Sequence, residues 1–252
     1  MYSEFDLSLS ALSPLNGEAV LPGDKSLSHR AALFAALAQG ESVIDNFLVS
    51  GVTRAMLNAM TALGVDWELD ENRLTVNGKG FEGLASPAEP INCGNSATTI
   101  RMLAGAIAAS GKAATLDGSE GLRKRPMDRI LNPLASMGAG IEAANGCAPL
   151  KLAARKAGTA LSPVEYDLPV ASAQVKSCLI LAALAASGVS ELREPGPSRD
   201  HTERMLTAMG ADIRTTAPLS LRVSPLTRPL APLRCALPGD ISSAAFPLVA
   251  AA

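Results

Sequence analysis

The sequence predicts an α/β protein, a lobe of three repeated α/β units around a pseudo-threefold axis, and three observations lead there. The tetrapeptide Leu21-Pro22-Gly23-Asp24 returns 216 residues later as Leu237-Pro238-Gly239-Asp240. Ser-led apolar segments begin near residues 26, 96, 172 and 242, so three periods of about 72 residues fill that interval. Each period then alternates an all-apolar stretch with strand-like and amphipathic stretches in a fixed order.

The first element of each period is a helix apolar on nearly every side, as in Ala31 to Ala38, Met102 to Ala109 and Cys178 to Ala186. Helices of that kind are buried. Gly40, Gly111 and Gly188 follow them and are expected to close them in the left-handed conformation, before a short strand. An amphipathic helix comes next, clearest in Met127, Ile130, Leu131, Leu134 and Met137, whose spacing matches the helical period. Pro133 lies inside that pattern and is expected to kink the helix or delay its start. Gly64, Gly138 and Gly210 then introduce two alternating segments, as in VDWEL and RLTVN around Asp70, Glu71 and Asn72, which predict a hairpin. The fourth period opens at Ser242 and ends at Ala252. Apolar residues there would be left uncovered, so the chain is expected to be the front portion of a longer one.

Composition narrows the function. A net charge of −2 supplies no overall attraction to nucleic acid or anionic membranes, so anion recognition has to be local. Aromatics at 3% are too few for a surface that stacks bases. Cys93, Cys147, Cys178 and Cys235 form no CxxC pair, and with two histidines they suggest neither a zinc site nor a disulfide framework; a reducing cytoplasm fits them best. No apolar run approaches the length of a membrane span, and MYSEFDLSLS lacks the parts of a signal peptide.

Chemistry-bearing residues gather where the periods begin, because a helix N-terminus offers free N–H groups and partial positive charge to an anion. Lys25 and Arg30 stand in PGDKSLSHR, Arg101 in NCGNSATTIR, Lys124 and Arg125 in LRKRPM, Ser172 and Gln174 in ASAQVKS, and Arg199 in PSRDHTE. If the three helix starts converge, these cations and small residues form a site for phosphates and carboxylates. A cation is unfavourable at a helix start without an anion to meet, which favours a binding role for Lys25 and Arg30. Arg101, Gln174 and Arg199 also read as partners for carbonyls or carboxylates, and Arg123 with Lys124 as a surface charge run. Ser172 is an N-cap whether or not it binds phosphate. Asp24 and Asp240 read as turn residues, His29 and His201 as packed or solvated, and Cys178 as core.

Taken in order, LPGDKSLSHR, NCGNSATTIR, LRKRPM, ASAQVKS, SRDHTE and LPGDISSAAF resemble the signature segments of the 5-enolpyruvylshikimate-3-phosphate synthase family over nearly the whole chain. The resemblance implies the enolpyruvyl transferase-like fold of two lobes, each of three α/β units, with the chain crossing between them twice. On that basis residues 1–22 form a strand segment belonging to the second lobe, 23–236 the first lobe, and 237–252 the crossover and the start of the second. It also implies transfer of the enolpyruvyl group from phosphoenolpyruvate to the 5-hydroxyl of shikimate 3-phosphate, releasing phosphate without cofactor or metal. Lys25 and Arg125 match contacts to phosphoenolpyruvate, with Gln174 near both ligands. Ser26 and Arg30 match contacts to the shikimate ring and carboxylate; Ser172, Ala173 and Arg199 match the cradle of its 3-phosphate. Asn95 through Thr98 match the loop bordering phosphoenolpyruvate, with Arg101 behind it.

The family's general acid and base come from the second lobe, so this chain is expected to need that lobe, in cis or in trans, for turnover. Ala97 stands where glyphosate-sensitive members carry glycine, and Met102 where many carry proline; both resemble the tolerant class, making glyphosate an expected weak inhibitor. Two rival readings remain: a non-catalytic fragment that binds shikimate 3-phosphate, and the sister transferase acting on UDP-N-acetylglucosamine. KSLSHR and SRDHTE disfavour the sister, as does LRKRPM without the reactive cysteine that the sister typically carries there.

Overall fold

The computed structural model describes residues 17–251, and the expected strand segment over 1–22 falls largely outside them. Residues 17–22 run up to Gly23 without forming a strand. Unit one then comprises α1 (Lys25–Leu37), β1 (Gln39–Asp45), α2 (Gly51–Ala62), β2 (Asp66–Asp70) and β3 (Arg73–Lys79). β4 (Ile91–Asn92) leads into unit two, made of α3 (Ala97–Ser110), β5 (Ala114–Asp117), α4 (Glu120–Arg123), α5 (Asp128–Ser136), β6 (Ile141–Ala144) and β7 (Cys147–Leu152). β8 (Glu165–Asp167) precedes unit three, with α6 (Ala173–Ala183), β9 (Ser190–Arg193), α7 (His201–Ala208), β10 (Ile213–Ala217) and β11 (Ser220–Val223). β12 (Arg234–Ala236) and α8 (Ile241–Ala251) follow.

Each unit forms one four-stranded sheet, and the way the sheets share strands closes the threefold arrangement. Their orders are β12-β1-β3-β2, β4-β5-β7-β6 and, read from its other edge, β8-β9-β11-β10. In every case a short strand that follows one unit's hairpin pairs in parallel with the first strand of the next unit: β4 with β5, β8 with β9, and β12 back to β1. These exchanged strands are two or three residues long and their partners lie in another unit, so no local pattern in the sequence announces them.

The apolar helices α1, α3 and α6 form the centre, with Ala31, Phe34, Leu103, Ile107, Cys178 and Leu181 at 0% exposure. α3 and α6 approach so closely that a Cβ on Gly105 would lie 2.2 Å from the Cys178 carbonyl oxygen. On α5 the residues Met127, Ile130, Leu134 and Met137 are all buried, while Arg129, Asn132 and Ser136 face solvent. That helix begins at Asp128 and runs through Pro133 rather than starting after it. The missing N–H leaves only the carbonyl of exposed Arg129 without its usual donor, which water can replace.

Gly64, Gly138 and Gly210 all adopt positive φ between a helix and its hairpin, at +79°, +86° and +100°. Gly111 closes α3 in the left-handed region as expected. Gly40 and Gly188 do not play that part. α1 ends at Ala38 in extended geometry with Gly40 already inside β1, and α6 ends at Leu184, leaving Gly188 in the loop beyond.

The two LPGD copies lie side by side. Gly23 and Gly239 form an antiparallel bridge, with the Asp24 N–H donating to the Pro238 carbonyl (2.9 Å) and the Asp240 N–H to that of Pro22 (2.8 Å). Beyond this pairing α8 turns Ile241, Phe246, Leu248 and Val249 to solvent. Among the described residues no helix is long and apolar enough to cross a membrane.

Candidate functional site

The N-termini of α1, α3 and α6 converge, and side chains tie them into a closed ring. α1 joins α3 where His29 Nε2 meets Ser96 Oγ at 3.3 Å. α3 joins α6 through Gln174, whose Nε2 donates to Thr98 Oγ1 (2.9 Å) and whose Oε1 accepts from Arg101 Nη1 (2.7 Å). α6 returns to α1 where Arg30 Nη2 donates to the Ala173 carbonyl (3.3 Å). Each helix start carries a cap: Asp24 accepts from the Leu27 N–H, Ser96 from Thr99 and Ser172, as expected, from Val175. Asp240 adds a second acceptor, 3.4 Å from the Lys25 N–H.

The cations around this ring differ in how far they are committed. Lys25, the first residue of α1, is exposed, as is Arg199 on the loop before α7; among the described residues neither side chain has a hydrogen-bond or ion-pair partner. Arg125 is half-buried and donates to Asn95 Oδ1 at 3.2 Å, which places Asn95, just ahead of α3, beside it. Arg101 donates its other amino group to the Pro126 carbonyl (3.1 Å). Arg123 pairs with Asp117 and Lys124 is exposed, as a surface run would be.

Arg30 is the most confined of them, at 1% exposure. All five of its N–H bonds end on protein: Nε on Thr202 Oγ1 (2.7 Å), Nη1 on the Ser26 hydroxyl (2.7 Å) and carbonyl (3.2 Å), Nη2 on Ser177 Oγ (2.9 Å) and the Ala173 carbonyl. Burial pushes its pKa down to about 10, with Arg199 adding to the depression against the opposing charge of Glu203. Burial likewise lowers Arg101, helped by the neighbouring charges of Arg129 and Arg125. Both guanidiniums are thus charges held out of water, a condition that an anion at the junction relieves.

Further back, Lys176 on α6 is buried between Glu194 and Glu203, with Nζ 2.6 Å from a carboxylate oxygen of each. Ser198 donates to the other oxygen of Glu194, which ties the loop carrying Arg199 to this buried triad. A groove of about 620 Å³ opens on the far side, between α7 and the β10–β11 hairpin, lined by Arg204, Thr207, Thr215, Leu219 and Leu221. Its floor carboxylates already share Lys176, so it offers an anion far less than the helix N-termini do.

His29 is buried, with Nδ1 2.8 Å from the Lys25 carbonyl. That carbonyl fixes Nδ1 as the protonated nitrogen and Nε2 as an acceptor, so Ser96 Oγ donates to it. Burial holds the imidazole below its ordinary pKa, consistent with the neutral form. Cys93 and Cys178 are likewise pushed up to about 12 by burial and are inert packing groups, while the four cysteines are unpaired. Among the described residues no group of three His, Cys, Asp or Glu is placed to hold a metal ion.

Every residue singled out in the six segments thus lies on or beside the ring, except Arg123 and Lys124. Ser177, Thr202 and the Lys176 triad were not singled out, although a lysine and a serine within the apolar run VKSCLIL were a readable sign that something polar had to meet them.

Known proteins resemble the chain over nearly its whole length. A family model described as EPSP synthase (3-phosphoshikimate 1-carboxyvinyltransferase) matches residues 9–252. A 3-phosphoshikimate 1-carboxyvinyltransferase from Syntrophomonas wolfei is 47% identical over 243 residues, covering 96% of this chain and 56% of the relative. One from Coxiella burnetii is 45% identical over 239 residues, covering 94% and 53%. Among solved structures, EPSP synthase from Acinetobacter baumannii superposes with a TM-score of 0.85 at 40% identity, covering 92% of this chain and 53% of that one. The chain therefore spans about half the length of the relatives it matches.

Proposed function

The chain belongs to the EPSP synthase (3-phosphoshikimate 1-carboxyvinyltransferase) family, and from that premise we propose that it forms the side of the active site that cradles shikimate 3-phosphate and meets phosphoenolpyruvate. The reaction is transfer of the enolpyruvyl group to the 5-hydroxyl of shikimate 3-phosphate, releasing phosphate. The observation that carries this reading is the closed ring of three helix N-termini, set among cations of which Arg30 and Arg101 are held out of water by burial. Both substrates carry a phosphate and a carboxylate, and bringing them together requires cations that offset their repulsion.

In this reading Arg199, the Ser172 hydroxyl and the backbone at Ala173 receive the 3-phosphate. Ser26 serves the ring and carboxylate, with Arg30 behind it as a buried charge whose N–H groups all end on protein. Lys25 and Arg125 face phosphoenolpyruvate, Asn95, Ala97 and Thr98 border it, and Gln174 stands between the two ligands. Groups that transfer protons come from outside these 252 residues, so the chain by itself binds without turning over. The free thiols fit a reducing, cytoplasmic setting. Ala97 is 8% exposed at the first position of α3, next to the Asn95–Arg125 pair; its methyl narrows the phosphoenolpyruvate side and supports tolerance to glyphosate, a longer anion, in the complete enzyme.

Calorimetric titration of the chain with shikimate 3-phosphate, followed by an assay for phosphate release with phosphoenolpyruvate, tests the proposal. Saturable binding that Arg199→Ala weakens by tenfold or more, with no phosphate release, is expected. A folded chain that does not bind shikimate 3-phosphate refutes it.

A further inference from the structure

The polar contacts around Arg30 fix the direction of every proton in a buried chain of hydroxyls. Ser177 Oγ lies 2.5 Å from the Ala173 carbonyl four residues earlier, and a carbonyl can only accept, so the single Ser177 proton goes there. Ser177 Oγ and Thr202 Oγ1 are 2.6 Å apart, and with the Ser177 proton spent, Thr202 must donate to Ser177. Arg30 has no lone pair to offer and donates to both oxygens. The protons of Ser177 and Thr202 are thereby both spent, and the guanidinium is locked between these hydroxyls and Ser26.

Ser26 is the exception. Its Oγ accepts from Arg30 Nη1 at 2.7 Å, and among the described residues nothing accepts its proton. It is partly exposed at the start of α1, whereas Arg30 beneath it is buried with no N–H to spare.

We infer that Ser177 and Thr202 are positioning residues: they hold the Arg30 guanidinium so that it orients the Ser26 hydroxyl as a donor toward an anionic ligand at the helix junction. The inference deepens the proposed function, since the ligand in question is shikimate 3-phosphate. Arg30 then serves the site as a charge and as the clamp on Ser26, and the hydroxyls behind it, which touch no ligand, set how well that clamp works. Thr202 neighbours Glu203 of the Lys176 triad, so the same helix, α7, anchors both Arg30 and the Arg199 loop.

Two readouts test this. The first needs no ligand: the Arg30 Nε–Hε signal in a nitrogen-15 spectrum should exchange slowly with solvent in the parent chain, fast in Thr202→Val, and slowly again in Thr202→Ser. The second is the affinity for shikimate 3-phosphate by calorimetry. Thr202→Val should weaken it about tenfold and Thr202→Ser should restore it to within about twofold. In a Ser26→Ala background Thr202→Val should cost almost nothing more, because the two changes remove one interaction. A purely structural threonine would give equal losses in both backgrounds, and that result overturns the inference, as does unchanged affinity in Thr202→Val. If Thr202→Val does not fold, Ser177→Ala takes its place, with the same loss of affinity and the same dependence on Ser26 required. If the parent chain fails to bind shikimate 3-phosphate, the functional reading falls; the positioning role of Thr202 toward Arg30 is then decided by the Nε–Hε exchange alone.

Discussion

Replacing Gly105 by alanine should drive α3 and α6 apart and weaken the lobe at its centre. An added Cβ would sit 2.2 Å from the Cys178 carbonyl oxygen, 2.8 Å from its Cα and 2.9 Å from its carbonyl carbon. All three are backbone atoms of a buried helix and cannot rotate away, so relief requires a separation of about 1 Å, enough to forfeit a quarter to a half of each van der Waals contact along the seam. Overpacking of this kind costs about 1–3 kcal/mol, and rigid backbone puts this site at or above the upper end. Alanine recovers about 1 kcal/mol of helix propensity, leaving a net loss of about 2 kcal/mol. For a chain of this size that corresponds to a fall of about 4–8 °C in Tm. Thermal and urea unfolding followed by circular dichroism measure it, with Gly51→Ala as control, because nothing lies within 4 Å of a Cβ there. Gly105→Ala matching the stability of Gly51→Ala would refute the close-packed centre.

Three further outcomes are expected. Lys176→Met should destabilise by about 3–5 kcal/mol, since it leaves Glu194 and Glu203 buried without a cation, and adding Glu194→Gln with Glu203→Gln should recover most of the loss in urea unfolding. Burial keeps His29 below its ordinary pKa of 6.5, so the unfolded chain takes up the proton first; stability is fully present above pH 6.5 and falls as the pH drops below it, until the folded imidazole protonates. Denaturation midpoints in a pH series should show that slope and His29→Gln should flatten it, leaving the part from His201, which shifts the same way. In a complete enzyme carrying this lobe, Ala97→Gly should tighten glyphosate inhibition about ten- to a hundredfold with little change in phosphoenolpyruvate KM, read from steady-state inhibition.

Much of the architecture was legible because each unit announces itself locally. Ser172 reads as a cap ahead of an apolar run, and a glycine with positive φ precedes each hairpin at 64, 138 and 210; Asp24, which reads as a turn residue, and Ser96 cap their helices in the same way. What stayed hidden depends on contacts between units. β4, β8 and β12 are too short to show a period, and their pairing belongs to the neighbouring sheet. α4 has only four residues and contains Gly121. Gly40 and Gly188 look like helix terminators, yet α1 and α6 end earlier, where the chain bends onto its own sheet. At the site, the cations could be read from the segments that carry them. Their commitments could not: that Arg30 spends every N–H on protein while Lys25 and Arg199 keep theirs follows only from which helices meet.

The proposed ligand site is the junction of α1, α3 and α6 rather than the groove beside α7. Backbone amide shifts recorded while shikimate 3-phosphate is added test it most directly. Changes centred on residues 24–30, 95–101 and 172–174, with Arg199, are the predicted result, since Lys176, Ser198, Asp200 and Glu203 also line the groove. Changes centred on Thr207, Thr215 and Leu219, or none at saturating ligand, would contradict it.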